Sequence, residues 1–156
     1  PVRTIPVPRS CIKRNLTAGW ACSTLLSSKK RLKLPDEEYP LILTTGRSLY
    51  HYHTGTMTRR AIALDAIQPE NEVQISPVTA ANLGINDGDM VRVITRRGKI
   101  DVKARITAAV SENVIFTYFH FAEAAANVLT NASPESLDPV AGIPEYKVAA
   151  ARVEKI

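Results

Sequence analysis

Alternating apolar and charged residues between positions 99 and 107 commit this part of the chain to antiparallel β-structure. One face of such a strand carries apolar side chains only, namely Ile100, Val102, Ala104 and Ile106. The other face carries charges, which is typical of a strand that is buried on one side. Residues 96–98, Arg-Arg-Gly, predict a hairpin turn to a partner strand over residues 90–95.

Four further segments are predicted to be short strands, at residues 41–43, 72–75, 114–121 and 146–153. Ser76 is a predicted N-cap for a two-turn helix over residues 77–83, which Gly84 would end. Residues 61–67 could form a short helix or a loop, and residues 122–131 a loop or one helical turn. Six short strands with two short helices predict a mainly β fold, a closed or nearly closed six-stranded barrel.

Charge divides the chain into two regions. The first 34 residues hold eight bases and no acid, which leaves 12 of the 20 bases against all 15 acids in the remainder. We therefore expect residues 1–34 to be a basic, poorly ordered N-terminal arm and residues 35–156 to be the barrel domain. Because the body is mildly acidic, the high overall charge does not indicate that it binds nucleic acid.

Both cysteines, Cys11 and Cys22, lie in the basic arm, and their spacing matches no zinc or redox motif. We interpret them as free thiols in a reducing compartment and expect a cytoplasmic protein. No apolar run reaches the length of a membrane span, so we expect no membrane partner.

The stretch from residue 44 to residue 60 is too polar to build a core. It contains five threonines, two glycines and the bases Arg47, Arg59 and Arg60. A strand end that opens into hydroxyls and guanidinium groups predicts a site for an anionic, phosphate-bearing ligand. The alternative is an ordinary surface loop, since threonine and glycine are common in loops.

This stretch, TTGRSLYHYHTGTMTRR, resembles the start of the C-terminal dinucleotide-binding domain of molybdopterin oxidoreductases, most closely the formate dehydrogenase catalytic subunit. The resemblance continues through ISPVTAANLGINDGDMVRVITRRGKIDVKARIT, VIFTYFHFAEAAANVLTN and LDPVAGIPEYKVAAARVE. It implies a six-stranded double-psi β-barrel of the aspartate-decarboxylase-like type. It also implies that the domain binds a molybdopterin guanine dinucleotide that carries molybdenum or tungsten. Residues 1–34 do not match what precedes this domain in the family.

The resemblance further implies which residues line the cofactor. One wall would consist of Thr45, Gly46, Arg47, His51, His53, Thr54, Met57 and Thr58, and the other of Asn127, Tyr146 and Lys147. From its own context, Asn127 could equally cap a helix or turn. His51 and His53 form a His-x-His pair, but no acid or thiol lies near it in sequence, so we expect no metal bound directly by this chain.

No nucleophile, Walker or other catalytic motif is present. In the family that this chain resembles, the metal-ligating cysteine or selenocysteine and the iron–sulfur cysteines would lie in other domains. We therefore expect a domain that is not catalytic alone, and that closes over the cofactor against the remaining domains of a formate-oxidising catalytic subunit. Electron-transfer subunits are a further expected class of partner. The alternative function is a small basic-armed barrel that binds RNA or another polyanion, but no aromatic row interleaved with bases supports it.

Overall fold

The computed structural model describes residues 34–134, 136–137 and 142–156, so residues 1–33 of the predicted basic arm, with both cysteines, lie outside the described residues. The strands are β1 (Leu41–Gly46), β2 (Glu72–Ile75), β3 (Met90–Thr95), β4 (Lys99–Ile106), β5 (Val114–Tyr118) and β6 (Ala149–Lys155). The helices are α1 (Ile62–Ile67) and α2 (Pro77–Leu83), and single 3-10 turns occur at Thr58–Arg60 and Ala126–Val128. Within the described ranges, no helix is both long enough and apolar enough to cross a membrane.

The six strands close into a barrel in the order β1-β5-β2-β4-β3-β6. Two neighbouring pairs are parallel, β1 with β5 and β2 with β4, and the other four are antiparallel. Parallel neighbours cannot be joined by a tight hairpin, so long connections run across the ends of the barrel. The fold is a double-psi β-barrel, which confirms the predicted fold class.

The barrel interior is filled by the alternating apolar residues that the sequence predicted. Along β4, Ile100, Val102 and Ala104 are buried, whereas the charged residues between them are exposed. All six strands contribute to this core, for example through Leu43, Val73, Val93, Val102, Ile115 and Val153. Burial of these side chains stabilises the barrel and fixes the register of its strands.

The helix predicted at residues 77–83 is confirmed as α2. The hydroxyl of Ser76 accepts a hydrogen bond from the backbone N–H of Thr79 at 3.2 Å, and Pro77 occupies the first turn. Gly84 ends the helix in the left-handed region, with φ +65°. For residues 61–67 the sequence allowed either a short helix or a loop. The structure shows a helix, α1, that begins at Ile62.

The bounds of four strands differ from the prediction, and tertiary contacts explain the differences in β1 and β5. β1 is longer and continues to Gly46, because its polar residues 44–46 pair with residues 116–118 of β5. β5 stops at Tyr118 instead of residue 121, because His120 and Phe121 turn into the interior and are almost fully buried. β6 spans Ala149–Lys155 rather than residues 146–153, and β4 ends one residue earlier than predicted.

The pairings assign each connection to one of the two ends of the barrel. β1 and β5 run parallel with Gly46 opposite Tyr118, so both finish at the same end. β6 and β2 begin at that end, since they run antiparallel to β1 and β5 respectively. The β3–β4 hairpin turns there as well, since β3 runs antiparallel to β6. We term this the exit end, formed by residues 47–71, 96–98, 119–134 and 142–148.

Candidate functional site

The barrel brings all eleven predicted cofactor-lining residues to the exit end. Thr45 and Gly46 close β1, and Arg47, His51, His53, Thr54, Met57 and Thr58 lie in the connection from β1 to β2. Asn127 lies in the 3-10 turn after β5, and Tyr146 and Lys147 precede β6. Residues about a hundred positions apart in sequence therefore border the same end of the barrel.

The two predicted walls meet at Thr45. Its hydroxyl donates a hydrogen bond to the carbonyl oxygen of Tyr146 at 2.6 Å, and Lys147 Nζ donates to the carbonyl oxygen of Thr45 at 2.6 Å. The ammonium group also lies 5.3 Å from the centre of the Tyr146 ring. Thr45 thus uses its hydroxyl within the chain, whereas Lys147 keeps two further N–H donors that a ligand can accept.

Gly46 lies in close contact with Phe116. A Cβ atom at this position would meet two ring carbons of Phe116 at 2.5 and 2.7 Å, far inside van der Waals contact. Its carbonyl oxygen accepts a hydrogen bond from the backbone N–H of Phe119 at 3.3 Å. The absence of a side chain here therefore lets β5 and its continuation pack closely against the end of β1.

Arg47 and the residues around it present donors to solvent. One guanidinium nitrogen of Arg47 lies 3.5 Å from Nδ1 of His53, and both side chains are exposed. The hydroxyls of Thr54 and Thr56 lie 2.8 Å apart and are also exposed. Since a guanidinium carries five N–H groups, most donors of Arg47 remain available to an anion.

His51 and Thr58 stabilise the β1–β2 connection through hydrogen bonds inside it. His51 is 4% exposed, and its Nε2 lies 2.8 Å from the carbonyl oxygen of Gln68. A carbonyl only accepts, so Nε2 carries the proton and Nδ1 accepts from the Thr58 hydroxyl at 3.2 Å. The same hydroxyl accepts from the backbone N–H of Tyr52 at 3.1 Å. Both ring nitrogens of His51 are therefore occupied by the chain itself.

His120 has a role that its sequence context did not indicate. The sequence places it between Phe119 and Phe121, a pattern typical of a histidine at the edge of a core. In the structure it is 1% exposed, accepts a hydrogen bond from the backbone N–H of Ser48 at 2.7 Å and donates one to the carbonyl oxygen of His53. It therefore attaches the β1–β2 connection to the segment after β5.

The distribution of ion pairs gives the exit end its charge. Among the described residues, five basic side chains have no carboxylate partner: Arg47, Arg60, Arg97, Lys99 and Lys147. All five lie at the exit end or on the first residue of a strand that starts there. The field at this end therefore favours an anionic ligand.

Arg59, which the sequence grouped with the phosphate-binding candidates, is already paired. Its guanidinium donates to both carboxylate oxygens of Glu123, at 2.9 and 2.6 Å, and lies 3.4 Å from Asp65. The hydrogen bond with Glu123 is the main cause that raises the pKa of Arg59, and the same bond lowers the pKa of Glu123. We conclude that Arg59 stabilises the connection, and that Arg47 and Arg60 are the two arginines of this connection that remain available to a ligand.

Asn127 lies inside its 3-10 turn, whose flanking residues are Ala125 and Leu129, so it does not act as a cap. Its side chain is exposed and has no hydrogen-bond partner in the described part of the chain. The turn packs against the β3–β4 hairpin, because a Cβ atom at Gly98 would meet Val128 at 2.5 Å. The Asn127 amide thus lies at the solvent-exposed edge of the exit end, which we term the rim. Both its donors and its acceptor are exposed.

The candidate residues border an open rim rather than a closed pocket. A small cleft at the exit end is lined by Arg96, Arg97, Asn131 and Glu145, among others, and it includes neither Arg47 nor Asn127. Large apolar side chains are exposed beside the rim, with Leu49 at 91%, Met57 at 76% and Ile62 at 88%. Helix α1 buries none of its residues.

A double-psi barrel with a cationic, hydroxyl-bearing rim is suited to a phosphate-bearing ligand such as a dinucleotide. Residues 41–150 match the family described as "Molydopterin dinucleotide binding domain", and the chain belongs to that family. This match confirms the predicted family and its cofactor, the molybdopterin guanine dinucleotide with molybdenum or tungsten. It favours this function over the alternative of a barrel that binds RNA.

Relatives of known function are much longer than this chain. It is 52% identical over 124 residues to the F420-dependent formate dehydrogenase subunit alpha of Methanocaldococcus jannaschii, covering 80% of this chain and 18% of that protein. It is 39% identical over 119 residues to the assimilatory nitrate reductase catalytic subunit of Bacillus subtilis, covering 76% and 16%. The chain thus spans less than a fifth of the length of either relative.

A solved structure shows the same fold. Acetylene hydratase from Pelobacter acetylenicus matches with a TM-score of 0.68 and 22% identity, over 76% of this chain and 19% of that one. In acetylene hydratase, as in the longer relatives, the matching region is therefore one part of a larger polypeptide.

Proposed function

We propose that the exit end of this barrel binds the pyrophosphate and guanosine part of a molybdopterin guanine dinucleotide. The observation that carries the proposal is the position of the five basic side chains without a carboxylate partner, all of which lie at this end among the described residues. Phosphate oxygens need N–H donors, and Arg47 and Lys147 offer several that the chain leaves unused.

The roles of the candidate residues differ in this proposal. Arg47, Lys147 and the exposed Thr54 hydroxyl would donate to the phosphates, and the Asn127 amide suits the edge of a heterocycle or a ribose hydroxyl. Gly46, His51 and Thr58 would act by shaping the rim, because their contacts are made within the chain. His53, Met57 and Tyr146 are exposed and would pack beside the cofactor.

We further propose that the domain works as part of a formate dehydrogenase-like oxidoreductase located in the cytoplasm. This proposal is supported by the similarity to the F420-dependent formate dehydrogenase subunit alpha of Methanocaldococcus jannaschii, of which the chain covers 18%. The remaining domains of such a subunit would cover the other side of the cofactor, and electron-transfer subunits would take up the electrons. The bound metal cofactor supplies the redox chemistry of formate oxidation, and this domain contributes binding and orientation.

The test is cofactor retention in the assembled enzyme. Arg47→Ala should weaken binding about ten- to a hundredfold, since loss of a hydrogen bond to a charged group costs about 1.5–3 kcal/mol. Asn127→Ala should weaken it by up to about tenfold, since loss of a hydrogen bond between neutral groups costs about 0.5–1.5 kcal/mol. The measurement is bound guanine nucleotide per protein after gel filtration, with circular dichroism to monitor folding. Lys155→Ala is the matched control, because Lys155 is an exposed base at the opposite end of the barrel, paired with Asp89 at 2.6 Å.

The control variant should retain the wild-type amount of nucleotide. Wild-type retention in both rim variants would exclude the exit end as the binding surface. Unfolding of the Asn127 variant would instead assign that residue to the turn it lies in.

A further inference from the structure

Two buried histidines hold the connection that carries most of the candidate site. His51 bonds to Gln68 and Thr58, and His120 bonds to Ser48 and His53. The two ring centres lie 5.8 Å apart. These four contacts hold the β1–β2 connection at four points along its length, from Ser48 after β1 to Gln68 after α1.

The partners of His120 determine where its proton lies. The carbonyl oxygen of His53 only accepts, so Nδ1 of His120 carries the proton. The backbone N–H of Ser48 only donates, so Nε2 must present its lone pair. Both contacts can exist together only while the ring is neutral. A second proton on Nε2 would face the N–H of Ser48 and abolish that hydrogen bond.

We propose that His120 is a positioning residue: its neutral ring holds residues 48–58 in the shape that receives the cofactor, and its protonation releases them. The cofactor part of this inference rests on the proposed function, whereas the release can be measured without any ligand. His120 is almost fully buried, so it does not reach a ligand itself and acts through the segment that it holds.

The surroundings of His120 favour the neutral ring. Burial is the main cause that lowers its pKa below the ordinary value, and Arg47, His51 and His53 in the facing connection lower the pKa further. The hydrogen bond to the His53 carbonyl opposes this shift. On its own side of the barrel, the Tyr118 ring stacks at 6.4 Å.

The sign of the pH effect follows from this shift. In the unfolded chain the histidine titrates near its ordinary pKa of about 6.5. Because the folded pKa is lower, the contribution of His120 is fully present above about pH 6.5. It is lost as the pH falls through the folded value, so the release of the segment is expected in acid.

The first test uses the wild-type chain and NMR. The chain has three histidines, so their ring nitrogen signals can be assigned by single substitutions. We expect His120 in the Nδ1-protonated neutral form at pH 7, with a titration midpoint below 6.5. We also expect the amide of Ser48 to exchange slowly at pH 7, and its protection to fall at least about tenfold relative to Val91 in β3 as His120 titrates.

The second test compares two variants. His120→Gln keeps one acceptor and one donor but does not titrate, so it should preserve the protection of Ser48 and remove its acid dependence. His120→Leu keeps an apolar side chain but removes both hydrogen bonds, so it should expose Ser48 at every pH. A purely structural role would make the Gln variant as pH-dependent as the wild type.

Two results would overturn the proposal. One is a charged or Nε2-protonated His120 at pH 7 in the wild-type chain, a measurement that needs no variant to fold. The other is equal protection of Ser48 above and below the titration midpoint that NMR measures for His120 in the wild type. Neither result depends on cofactor binding, so a failure of the proposed function, seen as full nucleotide retention in the rim variants, is a separate outcome.

Discussion

Replacing Gly46 by alanine should destabilise the barrel through a single contact with Phe116. The added Cβ atom would lie 2.5 and 2.7 Å from two carbons at the tip of the phenyl ring, whereas ordinary contacts begin near 3.4 Å. The ring is half-buried and packs edge-on against Tyr118 at 5.1 Å, so it must shift or push β1 away from β5. Overpacking of this kind costs about 1–3 kcal/mol in the free energy of unfolding.

Urea denaturation of the full chain measures this cost. With a urea dependence of about 2 kcal/mol per molar, a loss of about 2 kcal/mol lowers the midpoint by about 1 M. The double variant Gly46→Ala/Phe116→Leu should recover part of the loss, because leucine lacks the two ring carbons that clash. The costs of the two substitutions should therefore not add.

Gly84→Ala provides a matched control. Gly84 adopts a left-handed backbone conformation, with φ +65°, but a Cβ atom there would meet nothing within 4 Å. Its cost should come from backbone strain alone, about 1 kcal/mol, and should be independent of Phe116. If Gly46→Ala lowered stability by less than Gly84→Ala, or if Phe116→Leu gave no recovery, the close contact would not be what requires glycine.

Two further predictions concern parts of the chain away from the rim. Ser76→Ala should lower the free energy of unfolding by about 1 kcal/mol in the same urea assay, because the N–H of Thr79 loses its capping partner, and an unchanged midpoint would contradict that role. Limited trypsin digestion should remove residues 1–34, whose eight bases are unopposed by any acid, and leave a core that starts near Pro35. Arm bonds as resistant as those around Val114 would refute this second expectation.

The sequence predicted those elements whose signals are local. The alternation in β4, the bounds of β2 and β3, and the capped helix α2 each depend on residues within a few positions of one another. The extension of β1 to Gly46 could not be predicted in this way. Its threonines have no apolar pattern, and they join the sheet only because β5 pairs with them from 72 residues away.

The sequence predicts the candidate site as a region of the chain, but it does not predict which side chains there are left available to a ligand. Arg47 and Arg59 look equivalent in sequence. However, Arg59 donates hydrogen bonds to the carboxylate of Glu123, 64 residues away, whereas Arg47 has no carboxylate partner among the described residues. His120 gave no functional signal, because a single histidine among phenylalanines is usual in a core. Its role depends on contacts with Ser48 and His53, which only the closure of the barrel brings near it.

Because the candidate residues all lie at the exit end, the opposite end offers a place to attach the protein to a surface. The turn between β4 and β5, at residues 107–113, lies there and exposes Ala108 and Glu112. A cysteine in place of Ala108, with Cys11 and Cys22 replaced by serine, would immobilise the chain with its rim facing the solution. Captured in that orientation, every molecule on a biosensor chip would present the same face to a nucleotide in the flow.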